Sequence, residues 1–243
     1  IVSESFSQTE QVVVPADLSF GAKVAAAIDQ APPADWYWLL HDDVIVEPGS
    51  LAGLLNEATL AEDIGAVGPK VREWPSLRRL LEVGLTITGT GHRETGLEPG
   101  EPDAGQFDRA RDVLAVGTAG ILIRASAWRE LNGFDPNLPL FGDDIDFGWR
   151  LNRAGWRVRT APESVVFHAE ASRSLRRNRR GGVRPRVGER RSAGLYTLLA
   201  NVQASLLPFM WLRLFFGCLI RSFGFVVGKD FHAFRRELAA MLT

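Results

Sequence analysis

Cysteine is nearly absent: Cys218 is the single one in 243 residues, which excludes an intrachain disulfide framework and fits a reducing compartment. Cys/His ligand spacing is also missing, so a zinc ribbon is excluded. The chain opens at Ile1-Val2-Ser3-Glu4 without a basic start and an apolar core, and no secretory signal is expected. It lacks an initiator methionine too, which leads to the expectation of a piece excised from a longer chain. In the apolar run 195–227, Pro208, Arg213 and Arg221 leave no window of about 18 residues that is both uncharged and proline-free. An ordinary transmembrane helix is therefore not expected there. Amphipathic helices lying in a membrane interface, with arginines snorkelling to the headgroups, are.

What is present is enough for a substantial core: 46% of the residues are apolar, as one large domain or one domain with an appendage requires. The formal charge of −1 hides an uneven distribution. Residues 173–191 hold nine arginines against the single acid Glu189, while two tight groups of carboxylates lie upstream. The arginine run is compatible with a solvated loop, a nucleic-acid patch, or a lid over phosphates and anionic lipid. It has no interleaved aromatics, which weakens a stacking role on nucleic acid, and the apolar stretch that follows favours phosphate or lipid.

Along the chain, Val12-Val13-Val14 reads as a strand and 21–29 as an Ala-rich helix. Trp36-Tyr37-Trp38-Leu39-Leu40 reads as a buried strand ending in His41-Asp42-Asp43, followed by a helix over 50–61 and a strand over 64–68. This alternation predicts an α/β fold with a mostly parallel central sheet and helices on both faces, its ligands at the carboxyl ends of the strands. Residues 72–112, rich in Gly, Pro and charge, read as a substrate loop with one strand at 84–88. Residues 113–124 read as a long apolar strand interrupted by Gly117-Thr118-Ala119-Gly120, where a ligand can approach the backbone. A short helix from Ser126, another from Asp143 to Gly155, and a strand Val165-Val166-Phe167 ending in His168 complete the pattern.

Two acidic groups carry the chemistry. Adjacent Asp42 and Asp43 at a strand end repel each other, and a divalent cation such as Mg²⁺ or Mn²⁺ relieves that repulsion; turn and helix-cap roles compete with this reading. In Asp143-Asp144-Ile145-Asp146 the spacing predicts a capping box, with Asp143 as the N-cap and Asp146 closing it. Asp144 is then left to project into a cleft as a base that accepts a proton from a sugar hydroxyl. Pairing with Arg150 one turn later is the other reading of Asp146. His168, at a strand end, is either structural or a ligand to the same cation as Asp43.

In their order along residues 11–168, several motifs resemble the family 2 glycosyltransferases of GT-A fold. They are Leu39-Leu40-His41-Asp42-Asp43-Val44, Gly68-Pro69-Lys70, Thr118-Ala119-Gly120, Asn132-Gly133-Phe134-Asp135, Phe141 through Arg150, and Val166-Phe167-His168. Trp74 to Arg79 and Leu195 to Asn201 look further like a subgroup fused to a multi-span membrane region. The resemblance implies a Rossmann-like GT-A domain over 1–172, an Arg-rich loop over 173–191 and membrane-associated helices over 192–243. It implies that Asp42 and Asp43, with Lys70 and Gly120, meet the nucleotide-diphosphate sugar donor and that Asp43 and His168 hold the metal. It implies further that Asp144 is the catalytic base, with Asp143 beside it at the catalytic site. His41 stands where the family often has Asp or Asn. The family's first strand and helix have no counterpart before Gln11.

The expected function is that of an inverting, metal-dependent glycosyltransferase at the cytoplasmic face of the cell membrane, acting on a glycan or lipid-linked acceptor and not on nucleic acid. Two rivals share these features: a metal-dependent phosphotransferase or hydrolase, and a non-catalytic membrane-tethering module.

Overall fold

A computed structural model describes residues 12–15, 18–138, 141–169 and 188–241. The expectations for 1–11 and most of the arginine run lie outside them. The described elements run α1 (Phe20–Gln30), β1 (Trp36–Trp38), β2 (Val44–Val46), α2 (Ser50–Ala58), β3 (Ile64–Glu73), β4 (Leu80–Glu82), β5 (Thr86–Ile87) and β6 (Arg93–Glu94). They continue through β7 (Leu122–Arg124), α3 (Ala125–Glu130), α4 (Asp143–Arg153), β8 (Arg157–His168), α5 (Glu189–Asn201), α6 (Leu207–Val227) and α7 (Phe231–Met241).

Six strands form one sheet in the order β1-β7-β3-β8-β2, with β4 added on β3. The α/β architecture is the expected one, but the sheet is mixed and not mostly parallel: among the described strands only β3 and β8 pair in parallel. Strand–helix alternation fixes the order of elements, whereas strand direction depends on how the connections run. Parallel pairing needs a long crossover, and the chain between β3 and β8 supplies it. Val12 to Val14 form no strand, and Val13 is 92% exposed.

Alternation along the central strands builds two cores. Ala66, Ile123 and Val158 face one side with Trp128, Phe134, Phe147 and Leu151, onto which α1 lays Phe20, Val24 and Ile28. Val67, Leu122 and Ala161 face the other with Leu54 and Ala58 of α2. Helix α1 starts at Ser19, whose hydroxyl accepts the Ala22 N–H at 3.2 Å, a favourable N-cap.

The long apolar strand expected over 113–124 shrinks to β7. The segment before it bends because buried Glu82 takes the Gly117 N–H. Any Cβ on Gly117 would come within 2.6 Å of that carboxylate.

At the C-terminus, α6 is 21 residues long, about 31 Å at helical rise. By length and composition, the stretch Ala204–Val227 that contains it is long and apolar enough to cross a membrane. Pro208 lies in the first helical turn, where proline starts a helix instead of breaking it. Arg221 turns to Glu237 of α7 at 2.8 Å, and Arg213 to the Gly89 carbonyl, so both arginines face protein partners.

Candidate functional site

The β2–β8 ladder pairs Val44 with His168, and that register brings the Asp43 carboxylate beside the imidazole. His168 Nε2 lies 3.0 Å from Asp43 Oδ1. His41 joins them: its Nε2 is 3.0 Å from Thr118 Oγ1 and its ring centroid 5.4 Å from that of His168. His41, Asp43 and His168 present one ligand atom each within 4.8 Å of one another, all half-buried. Asp42 is exposed at the rim. The sequence pointed to Asp43 and His168; His41 is the member it left unassigned, although its place in the same turn was the available signal.

The second acidic group opens α4. Gly142, at φ 93°, is its N-cap and offers no side chain, so the capping-box reading of Asp143 is corrected. A left-handed backbone there suits glycine, and the acids occupy the first turn of the helix instead, at the positive end of its dipole. Asp146 is 1% exposed and bound by Arg150 Nε and Asn201 Nδ2, each at 2.7 Å. It serves the fold, as its spacing from Arg150 allowed. Asp143 is 4% exposed, and its Oδ1 has no hydrogen-bond partner among the described residues. Burial, and then the charge of Asp144, push its carboxyl up to about 7.

Asp144 is the acid that reaches out. Its Oδ1 accepts the Ile145 N–H at 2.9 Å, and its Oδ2 accepts from Arg93 Nε at 2.9 Å. Arg93 also donates to Glu82 at 2.5 Å. Burial raises the Glu82 carboxyl above the ordinary range, against the pull of Arg93. Neither Arg93 nor Glu82 was singled out from sequence, because 51 residues separate Arg93 from Asp144 and no short motif joins them.

Two residues expected at the donor have partners within the protein. Lys70 is 2% exposed, with its ammonium 3.0 Å from Asp103 and 2.6 Å from Asp108; it anchors the 101–108 loop. Gly120 packs against Pro69, where a Cβ would come within 2.7 Å, and its carbonyl accepts from Trp38 Nε1 at 3.1 Å.

The start of α1 touches both acidic groups. The Phe20 ring lies 5.8 Å from that of His41, and at Gly21 a Cβ would stand 3.1 Å from Asp143 Oδ1. Two consecutive residues therefore border the His/Asp/His group and the acidic helix start.

The family model for "Glycosyltransferase like family 2" matches residues 2–183. An N-acetylglucosaminyl-diphospho-decaprenol L-rhamnosyltransferase of Mycobacterium tuberculosis is 31% identical over 155 residues, covering 56% of this chain and 48% of that protein. A pre-mycofactocin glycosyltransferase of the same organism is 43% identical over 134 residues, covering 55% and 27%. The O-antigen biosynthesis protein RfbC of Myxococcus xanthus is 32% identical over 140 residues, covering 56% and 11%. The chain thus spans about half the length, or less, of the curated relatives it matches. Among solved structures, GalNAc-T7 with UDP, GalNAc and Mn²⁺ superposes with a TM-score of 0.51 at 14% identity, over 62% of this chain and 30% of that one. That likeness concerns the fold, which is the GT-A type. With three quarters of its length under the family model, the chain belongs to the family 2 glycosyltransferases.

Proposed function

We propose that this chain is the catalytic part of an inverting glycosyltransferase that moves a sugar from a nucleotide-diphosphate donor to a lipid-linked or glycan acceptor in cell-envelope synthesis. The observation that carries the reading is the double contact of Phe20 and Gly21, which sets a His/Asp/His group and an acidic helix start around one strip of chain. The relatives named for rhamnosyl transfer and O-antigen synthesis support the reaction class and the setting.

His41, Asp43 and His168 fit a divalent ion by donor type and convergence. Two imidazoles and one carboxylate suit Mn²⁺ better than Mg²⁺, which prefers an all-oxygen shell. An ion held by these three residues would supply positive charge that offsets the negative charge of a leaving diphosphate.

The chain's own work is at Asp144. Its carboxylate accepts the proton of the acceptor hydroxyl as the new oxygen–carbon bond forms at the anomeric carbon and the bond to the diphosphate breaks, which inverts configuration in one displacement. Arg93 and the Ile145 N–H fix the carboxylate's orientation. The exposed apolar face of α6, with Phe209, Phe216, Ile220 and Phe223 each more than half exposed, together with the arginines before α5, supports apposition to the cytoplasmic face of the membrane.

A screen of UDP-, GDP- and dTDP-sugars by thermal shift with and without Mn²⁺, followed by transfer assays on an N-acetylglucosaminyl-diphospho-prenol, tests this. A Mn²⁺-dependent shift with one nucleotide class and a glycosylated product is expected. Hydrolysis of the donor at the same rate with and without acceptor would assign the site to a hydrolase instead.

A further inference from the structure

The tip of the β5–β6 hairpin, Thr88-Gly89-Thr90-Gly91-His92, rests on the C-terminal helices residue by residue. Arg213 of α6 donates to the Gly89 carbonyl, and Arg191 of α5 donates to the Thr90 carbonyl. Gly91, at φ 87°, meets the backbone of α5 so closely that a Cβ there would stand 2.9 Å from the Gly194 carbonyl. Within the tip, the Thr88 hydroxyl accepts the His92 N–H at 2.9 Å, and the Thr88 N–H donates to the His92 carbonyl at 2.8 Å. Arg93 is the next residue. A shift of the tip is therefore passed on to the guanidinium that holds Asp144 at 2.9 Å.

Behind Arg191 stands Glu237 of α7. Both side chains are buried, and Arg191 Nε lies 3.2 Å from Glu237 Oε2. Arg221 of α6 gives Glu237 two further donors at 2.8 and 3.0 Å. Helix α7 comes this close to α5 at Gly188, the N-cap of α5, where a Cβ would stand 2.7 Å from the Arg236 carbonyl. A buried ion pair adds little stability over apolar side chains of the same volume, so packing alone does not account for this one. Its effect is on direction: Glu237 takes the Nε and Nη2 edge of Arg191, and Nη1 is left aimed at the Thr90 carbonyl.

We propose that Glu237 is a positioning residue for the transfer: it sets Arg191, Arg191 sets the hairpin tip, and the tip sets Arg93 against Asp144. The inference rests on the reading of Asp144 as the base, and it makes α7 part of the reaction although Glu237 touches no reacting atom. The base must lie within hydrogen-bond reach of the acceptor hydroxyl. A misplacement of about 1 Å, even one caused far from the chemistry, costs roughly 10²-fold in rate. Each link of the relay is a guanidinium bond of fixed direction, which suits it to carry position from α7 to the cleft.

The test is a double-mutant cycle in the whole chain. Glu237→Gln keeps the shape and removes the charge; it is expected to lower kcat about threefold to tenfold, in the range for residues coupled through one network, and to leave Mn²⁺-dependent nucleotide affinity unchanged. In an Arg93→Gln background the same substitution should change kcat by less than about twofold, because the relay is already cut. Hydrogen exchange supplies a readout that needs no activity: amides 88–94 should exchange faster in Glu237→Gln while those of β3 keep wild-type protection. If Glu237→Gln does not fold, Arg191→Lys carries the same comparisons, since its ammonium can meet Glu237 but lacks the fork that also reaches Thr90. Unchanged kcat, equal losses in both backgrounds, a loss confined to donor KM, or unchanged exchange at 88–94 would each overturn the proposal. The transferase reading fails separately: a wild-type chain that forms no glycosylated product, while exchange at 88–94 still responds to Glu237→Gln, sinks the enzyme and keeps the coupling of α7 to the hairpin.

Discussion

Arg93 holds Asp144 from across the fold: its Nε lies 2.9 Å from Asp144 Oδ2 while Glu82 receives its other arm at 2.5 Å. The pair links the β5–β6 hairpin to the first turn of α4, so the position of the proposed base depends on a loop distant in sequence. Arg93→Gln is expected to lower kcat by tenfold or more, and less than the roughly 10²–10⁴-fold loss in Asp144→Asn. Donor affinity should be unchanged in both. Arg93→Lys should recover part of the rate, since it restores one donor but not the fork. Steady-state kinetics with donor and acceptor varied separately check this; a loss confined to donor KM would contradict it.

Asp143 sets a pH dependence of stability. Its carboxyl is pushed up to about 7 by burial and by Asp144, so the folded chain keeps a proton there that the unfolded chain releases near 4. The sign follows: the folded state binds more protons between these values, and its stabilisation is full below about 4 and lost as pH rises through about 7. Asp143→Asn keeps the shape without the charge. Urea unfolding at pH 6 and pH 8 is expected to show wild type losing more stability over that step than the variant does.

The proposed metal group predicts a separable defect. His41→Ala, Asp43→Ala and His168→Ala should each remove Mn²⁺-dependent nucleotide binding, because each deletes one of three convergent ligand atoms, while the unfolding midpoint without metal changes little. Isothermal titration of UDP and GDP with Mn²⁺, and again after chelation, checks it. Asp42→Ala, at the exposed rim, is expected to cost less than Asp43→Ala.

Much of this site was legible in the sequence wherever the signal was local. Asp43 stands beside a strand end, Asp144 in an acidic cluster at a helix start, and Asp146 four residues before Arg150; each of these positions could be read from spacing, although the helix cap falls on Gly142 and not on Asp143. What escaped depends on long-range contacts. Sheet direction is set by connections, which periodicity does not encode, so a mixed sheet was read as mostly parallel. The partners of Lys70 and Gly120, Asp103 and Pro69, lie far from them in sequence. Arg93 and Glu82 lie in a segment read as a substrate loop, and only the fold brings them to Asp144. In α6, two arginines were counted as membrane-facing charges, although the helix turns them to protein partners.

Lys70→Met tests the role of this ion pair. The substitution leaves Asp103, 6% exposed, with Arg72 as its remaining cation. Removing one partner of a buried ion pair typically costs about 3–5 kcal/mol, and Arg72 should reduce this toward the lower end. The folded variant is expected to bind nucleotide with wild-type affinity. Denaturant titration reads the first effect and calorimetry the second; lost affinity at unchanged stability would return Lys70 to the donor site.

The exposed face of α6 predicts how the chain meets lipid. Phe216, Ile220 and Phe223 are 52%, 71% and 71% exposed, whereas Leu214 and Cys218 on the opposite side are buried. Burying one such side chain in an apolar phase contributes about 1.5–3 kcal/mol, so insertion of this face should proceed on neutral vesicles and be insensitive to salt. The arginines of 173–186 would act differently, at about 1 kcal/mol each near an anionic leaflet and subject to screening. Flotation with phosphatidylcholine vesicles is therefore expected to lose Phe216→Gln/Ile220→Gln from the lipid fraction. Replacing the arginines by Gln should leave that fraction intact and weaken only binding to phosphatidylglycerol vesicles at low salt. Because the buried side of α6 carries Leu214 and Cys218, with Arg221 bound to Glu237, the double variant should keep its fold. A wild-type chain that stays in the aqueous fraction with both vesicle types would remove the membrane from the reading and leave α6 to a protein partner.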